Sequence, residues 1–267
     1  MNSVRQKAKQ LLESGAVKLV LGYEAGSEGK ARPAFIMNAN DTDKLIYQKG
    51  DMINLAVYLN KHEVKKFDKI AVVASLAMMK SIFILSSEKQ IDTANVTILG
   101  VNQNEELIEF ANIADVEKYI NENPVEYTPE EKAILEKIDA MTMEERWKYW
   151  TDIFSKCIKC YACRASCPMC YCTRCTVDNN QPQWITVAPT ALGNMEWHMM
   201  RAMHLAGRCS GCGNCDTSCP VNIPLNLINL KLTETIHKQF GFTAGALLTQ
   251  EYVMSTFKTD DKENFIK

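Results

Sequence analysis

The first 156 of the 267 residues contain no cysteine, and the whole chain has only four histidines. Charge of one sign is also missing. Thirty Lys and Arg against 32 Asp and Glu leave a net charge of -2, which gives no footprint for nucleic acid or an anionic membrane surface. There is no long apolar run. The most apolar stretch, Ile70 to Leu85, is interrupted by Lys80. It falls short of the roughly 20 residues that span a bilayer, so it reads as a strand followed by a helix. The start, MNSVRQKAKQLLESG, reads as a charged amphipathic helix without the apolar core of a signal peptide. A cytoplasmic chain with no membrane partner is the expectation. No G-x-S-x-G, H-E-x-x-H or G-x-x-x-x-G-K-[ST] occurs, so the usual catalytic constellations have no carrier. With 46% hydrophobic residues, the chain is nevertheless expected to build a proper core.

Helix-like and strand-like segments alternate up to residue 124. Val4 to Leu12 reads as a helix with Gly15 as its cap. Val17 to Leu21 and Pro33 to Met37 read as strands flanking the turn GSEGKAR. Asn54 to Leu59 and Leu76 to Ser86 read as helices, and Lys69 to Ala74 and Ala94 to Val101 as buried strands. Helical patterns are predicted at Glu105 to Phe110 and Asp115 to Ile120. Strands separated by helices imply a small α/β sandwich with parallel pairing. In NENPVEYTPEE, Pro124 and Pro129 discourage a continuous helix, which marks a linker. Thr128 with Glu131, and Thr142 with Glu145, have capping-box spacing, so two helices should lead to residue 157. Trp147, Trp150, Ile153 and Phe154 recur at helical spacing and are expected to pack in a core.

All eleven cysteines lie between Cys157 and Cys219. Crowding of this kind in a chain without an export signal points to metal rather than disulfides. Cys157, Cys160, Cys163, Cys167 and Pro168 form C-x2-C-x2-C-x3-C-P. Cys209, Cys212, Cys215, Cys219 and Pro220 repeat it with identical spacing. This is the run that holds [4Fe-4S] clusters in bacterial ferredoxins, where the fourth cysteine ligates the other cluster. Carried over, cluster one takes Cys157, Cys160, Cys163 and Cys219, and cluster two takes Cys209, Cys212, Cys215 and Cys167. Gly211 and Gly213 would let backbone amides approach the sulfurs. Structural zinc is the competing use of paired cysteines, but zinc sites usually separate their pairs by about a dozen residues or more. Helices are expected at Met195 to Ala206, ending at Gly207, and at Pro224 to Phe240, ending at Gly241. They favour a helical two-cluster domain over a β-rich ferredoxin.

Cys170, Cys172 and Cys175 remain, in PMCYCTRC. They are a candidate third metal site, for zinc or a third Fe-S centre, with a fourth ligand from His198, His204, an acidic side chain or a partner. Alternatively one of them replaces Cys167 at cluster two, or they are free thiols. His198 and His204 otherwise read as helix-face residues.

The segments CIKCYACRASCPMCYCTRC and HLAGRCSGCGNCDTSCPVNIPL resemble the dicluster Fe-S subunits related to the β subunits of formate dehydrogenases and of deazaflavin-reducing hydrogenases. AKQLLESGAVKLVLGYEAG, ARPAFIMN, KIAVVASLAMMKSIFILSSEKQID and VTILGV are similar as well, so the resemblance runs from about residue 6 to residue 232. It implies a cytoplasmic electron-transfer subunit of an anaerobe. Its partners would be flavoprotein, hydrogenase or formate dehydrogenase subunits of the same complex, beside heterodisulfide-reductase-like proteins. The chain departs from many relatives after the strand at Lys69 to Ala74, where Ser75 to Lys80 replaces a Lys-Gly-Cys-Asp element. No flavin is therefore expected in this chain.

The expected architecture is an α/β N-terminal docking domain at 1–124, linker helices at 125–156, a helical dicluster ferredoxin domain at 157–240 and a tail at 241–267. The expected function is relay of single electrons through two [4Fe-4S] clusters between a flavin or metal-centre partner and an acceptor. The alternative is a flavin- or nucleotide-binding subunit whose N-terminal domain shares in catalysis. Its only cue is GYEAGSEGK, which does not fit G-x-G-x-x-G. A regulatory Fe-S sensor would need a nucleic-acid-binding element, and none is apparent.

Overall fold

A computed structural model describes residues 1–254 apart from 49, 51, 103, 125, 126 and 180. The N-terminal half runs α1 (Asn2–Glu13), β1 (Leu19–Ala25), β2 (Ala31–Ile36), α2 (Ala56–Leu59), α3 (His62–Lys65), β3 (Ile70–Ala74), α4 (Leu76–Ser87), β4 (Val96–Val101), β5 (Leu107–Ile108) and α5 (Ile113–Glu122). The five strands form one sheet in the order β2-β1-β3-β4-β5. Its centre, β1-β3-β4, is parallel, and both edge pairs are antiparallel. Every residue of β3 is buried, as a parallel strand covered on both faces requires. Alternation along the strands sorts the core. Val20, Ala71, Val73 and Leu99 face Val4 and Ala8 of α1, while Leu19, Leu21, Val72 and Ile98 share the other face with α4 and α5.

The helix expected at Glu105 to Phe110 is instead a turn and strand β5. Glu105 has φ +63°, and Leu107 and Ile108 pair with Val101 and Gly100. The Asn102 side chain accepts from the backbone N–H groups of Asn104 and Glu106, closing the hairpin. Six residues are too few for a 3.6 period to outweigh an available sheet edge.

The C-terminal half contains α6 (Pro129–Ala140), α7 (Met143–Phe154), α8 (Ala162–Ala165), α9 (Ala191–Leu205), α10 (Asn214–Thr217) and α11 (Leu225–Phe240). Both expected capping boxes are formed, at Thr128–Glu131 and Thr142–Glu145. Phe154 is fully buried and Trp150 stacks on it, but Trp147 is exposed, so the apolar stripe of α7 is only partly core. Helix α7 packs on α9, and α6 on α11. Lys231 of α11 reaches Asp139 of α6 at 2.6 Å.

The two halves share a core. Met169, Leu205, Ile236, Phe242 and Ala244 belong to the same buried cluster as α4 and the sheet. Arg208 forms a two-armed ion pair with Glu88 at the end of α4 and lies over the Tyr171 ring. After α11 the chain turns back over α4 and α5. Asn121 Nδ2 donates to the Ala246 carbonyl at 2.9 Å, and the Leu248 N–H to Glu117 Oε2 at 2.9 Å. Gly245 has φ +70° and lies against the Lys80 carbonyl, where an added Cβ would come within 2.5 Å. Residues 125 and 126 of the expected linker and 255–267 of the expected tail lie outside the described residues.

Candidate metal centre

Each C-x2-C-x2-C run folds the same way: a loop with two left-handed residues, then one turn of helix that carries the third cysteine. In the first run the left-handed residues are Lys159 and Tyr161, both at φ +57°, and in the second they are Gly211 and Gly213, both at +72°. Cys163 sits on α8 and Cys215 on α10. The Lys159 N–H points at Cys157 Sγ at 3.4 Å, and the Gly211 N–H points at Cys209 Sγ at the same distance. Left-handed residues turn their amides inward, so both loops present N–H donors to sulfur. The short helices are stapled together. Ser166 Oγ donates to the Asn214 carbonyl at 3.3 Å, and Asn214 Nδ2 donates to the Ser166 carbonyl at 3.1 Å.

The thiols divide into two neighbourhoods. Burial pushes the Cys163 thiol up, and the nearby Cys157, Cys160 and Cys219 push it further against the opposing pull of Arg201. Cys157 is raised by burial and by Cys160 and Cys219. Burial pushes Cys209 up to about 12, with Cys212 and Cys167 adding to it. Cys212 is raised by burial and then by Cys167, and Cys215 by burial with Cys209 and Cys212 among its neighbours. Cys219 thus lies among the thiols of the first run and Cys167 among those of the second.

Helix α9 runs alongside the first loop. Asn194 Nδ2 donates to the Cys157 carbonyl at 2.8 Å, and Arg201 Nη2 to the Cys163 carbonyl at 3.1 Å. The buried Lys159 ammonium reaches back to the carbonyls of Thr186 and Gly193, both at 2.8 Å. Asn194, His198 and Arg201 share one face of α9 at helical spacing. Arg201 is only 4% exposed. Burial works to lower its pKa, but the thiols of Cys167, Cys215, Cys170 and Cys163 raise it above the usual arginine range. A guanidinium buried between two sets of cysteines requires compensating negative charge. His198 is 3% exposed and stacks on Phe154 at 4.5 Å. Burial, with Arg201 and Lys159, lowers its pKa to about 3. On α11, Asn229 Nδ2 points at Cys215 Sγ at 3.9 Å.

Several buried polar atoms here meet no hydrogen-bond partner among the described residues. They include the Tyr161 hydroxyl, both His198 ring nitrogens and Arg201 Nε. The Tyr161 hydroxyl, Arg201 Nε and one ring nitrogen of the neutral His198 are donors, and they lie around a cationic side chain close to the buried thiols. They fit a group that brings negative charge and sulfur acceptors, as an iron–sulfur cluster does. Among the described residues, no three Cys, His, Asp or Glu side chains converge on the position of a single ion. Ligands of a cubane need not converge in this way, because the cluster itself separates its corners.

The Cys170 N–H donates to the Cys167 carbonyl at 3.1 Å, and the nearness of the two thiols lowers the pKa of Cys170 and, together with burial, raises that of Cys167. Cys172 is exposed, and the Cys175 N–H donates to Asp178 at 3.0 Å. Cys170, Cys172, Cys175 and His204 line one cavity of about 210 Å³, so the structure gathers His204 with this trio. His198 is not among its walls; it stacks in the core beside the first run. Sequence reasoning missed Asn194, Arg201 and Asn229 as residues that contact the cysteine runs. The signal available was a polar stripe, Asn194–His198–Arg201, on an otherwise apolar helix face.

Residues 153–223 match the family described as the 4Fe-4S dicluster domain. The chain is 32% identical over 102 residues to the F420-dependent formate dehydrogenase subunit beta of Methanocaldococcus jannaschii, covering 38% of this chain and 25% of that protein. It is 34% identical over 104 residues to the F420-dependent formate dehydrogenase 1 subunit beta of Methanococcus maripaludis, covering 39% of this chain and 25% of that one. The matches thus span about a quarter of the length of these curated relatives. No helix among the described residues is long and apolar enough to cross a membrane. Two cysteine runs, a buried cationic side chain between them and the family match agree: residues 153–223 are a 4Fe-4S dicluster domain, whose cofactors are two [4Fe-4S] clusters.

Proposed function

We propose that the chain is the iron–sulfur electron-transfer subunit of a multi-subunit oxidoreductase. Bound clusters supply one-electron transfer, and the protein supplies their ligands, hydrogen bonds and dielectric surroundings. Cys157, Cys160, Cys163 and Cys219 hold cluster one, and Cys209, Cys212, Cys215 and Cys167 hold cluster two. The crossing of Cys219 and Cys167 into each other's neighbourhoods carries this reading, since it fits the shared ligation of two-cluster ferredoxins. Arg201 offsets negative charge between the two sites, and the loop amides of Lys159 and Gly211 stabilise thiolate on Cys157 and Cys209. A cavity of about 500 Å³ reaches Cys160, and another of about 400 Å³ reaches Cys209. Each site therefore has a side on which a redox partner can approach. Residues 1–124 act as the docking domain, and Cys170, Cys172 and Cys175, which line one cavity with His204 without converging on a single ion position, are the candidate third site. The donor and acceptor are a flavin or metal centre in partner subunits, a reading supported by relatives that are formate dehydrogenase subunits.

The test is an anaerobic count of iron, acid-labile sulfide and zinc per chain. About eight irons and eight sulfides are expected for two cubanes. About one additional zinc, or ten to twelve irons, would identify the third site. Zinc with almost no iron or sulfide would overturn the reading.

A further inference from the structure

Lys159 stands in the first run where the second has Gly211. Both residues are left-handed, and both point their N–H at the sulfur two residues back, at 3.4 Å. Glycine meets that backbone demand freely, so shaping the loop does not require a lysine. The Lys159 side chain is nevertheless buried, at 7% exposed, with its ammonium enclosed at the start of α9. Nζ donates to the Thr186 and Gly193 carbonyls at 2.8 Å each. Among the described residues no carboxylate pairs with it; Glu196 of α9 is exposed and forms no ion pair with it. Gly193 makes the room. A Cβ there would lie 2.1 Å from Thr186 Cγ2 and 3.4 Å from the lysine Nζ. The next residue, Asn194, donates to the Cys157 carbonyl at 2.8 Å, so adjacent residues of α9 hold the ammonium and the first ligand of the run.

Three features oppose this placement. A left-handed lysine is strained, a buried ammonium has lost its water, and the first turn of a 15-residue helix is that helix's positive end. Two neutral carbonyls do not call for a full charge, since an amide or a water donates to them as well. Negative charge close by is what offsets a buried cation. The group that brings it is the one that Cys157 helps to hold.

We propose that Lys159 is a fixed counter-charge for cluster one and raises its reduction potential. The inference rests on the ligand assignment given under Proposed function. Reduction adds one electron to the centre, and a nearby positive charge stabilises the more negative state. The second run, with glycine at the matching position, has no such charge within its loop. Two centres with one ligand pattern thereby differ in the charge built into their loops.

The experiment is an anaerobic titration of the full chain with dithionite, followed by electron paramagnetic resonance. Lys159→Gln keeps a donor for the two carbonyls and removes the charge. It should move the centre that Cys157→Ser disrupts roughly tenfold toward its oxidised form in the one-electron equilibrium, about 59 mV lower. The other centre should move less, and the iron content should match wild type. Lys159→Arg, which keeps the charge, should stay near the wild-type potential. An unmoved potential in Lys159→Gln with intact iron, or an equal fall in Lys159→Arg, would overturn the proposal. If Lys159→Gln loses iron, Lys159→Gly, which copies the second run, is titrated in its place. Loss of iron there as well would reduce the lysine to a structural staple and overturn the proposal. The wild-type iron count keeps the two ideas apart. A chain without its two clusters fails the ligand assignment, whereas a fully loaded chain whose potentials ignore the charge at 159 fails this proposal alone.

Discussion

The two cysteine runs have one backbone trace but different support. The second reaches its left-handed positions with Gly211 and Gly213, which adopt them freely. The first reaches them with Lys159 and Tyr161, and each left-handed non-glycine residue costs roughly 1–2 kcal/mol. Its side chains offset that strain. The Lys159 ammonium caps two carbonyls beside α9, and the Tyr161 ring meets Trp197 edge-on at 5.2 Å. The first run is thus held by α7 and α9, from its own half of the chain. The second run is backed by α4 and Asn54 from the α/β half. Two copies of one motif can be equivalent as ligand sets and still differ in what tunes and stabilises them.

Removing an exchanged ligand tests that equivalence most severely. Cys219→Ser should cost the cluster held by Cys157, Cys160 and Cys163, about four of eight irons, although it stands in the second run. Loss confined to the cluster held by Cys209, Cys212 and Cys215 would show that each run ligates its own cluster. Next in size, Glu88→Ala removes the one carboxylate that Arg208 pairs with among the described residues, where the α/β half meets the second run. A loss of about 3 kcal/mol in anaerobic denaturant unfolding is expected. A loss below 1 kcal/mol would mean that the second run does not depend on this contact.

His198 provides a pH test on the side of the first run. Its folded-state pKa of about 3 lies below the ordinary value of 6.5. Its contribution to stability is therefore complete above 6.5 and declines as the pH falls from there toward 3. Between pH 7 and pH 5, wild type should lose about 2 kcal/mol more than His198→Phe, a variant that keeps the stack on Phe154. Parallel pH curves for the two proteins would rule this out. The smallest effects come from the left-handed positions. Gly213→Ala meets no atom within 4 Å, so its cost is backbone alone, about 1–2 kcal/mol. Tyr161→Gly removes strain and an aromatic contact of similar size, and should stay within about 1 kcal/mol of wild type. Equal losses in the two variants would mean that the runs are supported alike.

Much of this was legible in the sequence. The duplicated spacing marks eight cysteines as candidate ligands, because a C-x2-C-x2-C loop has few other uses. Thr128–Glu131 and Thr142–Glu145 gave the starts of α6 and α7, since a capping box is a local contact. The run from Ile70 to Leu85 resolved into β3 and α4 because it was too short to be anything longer. Residues 105–110 were misread because a short apolar pair fits either period, and the free edge of β4 decided it.

By itself, then, the sequence determined that the thiols fall in two runs of one spacing and where most regular elements begin. Only the tertiary structure decided which thiols are neighbours across the two runs, that Arg201 lies buried between them, and that Ser81 meets Ser210 beside the second run from the other half. The physical reason is range. Spacing and capping act within one turn of chain, whereas burial and hydrogen bonding across more than 100 residues leave no periodic trace in the sequence.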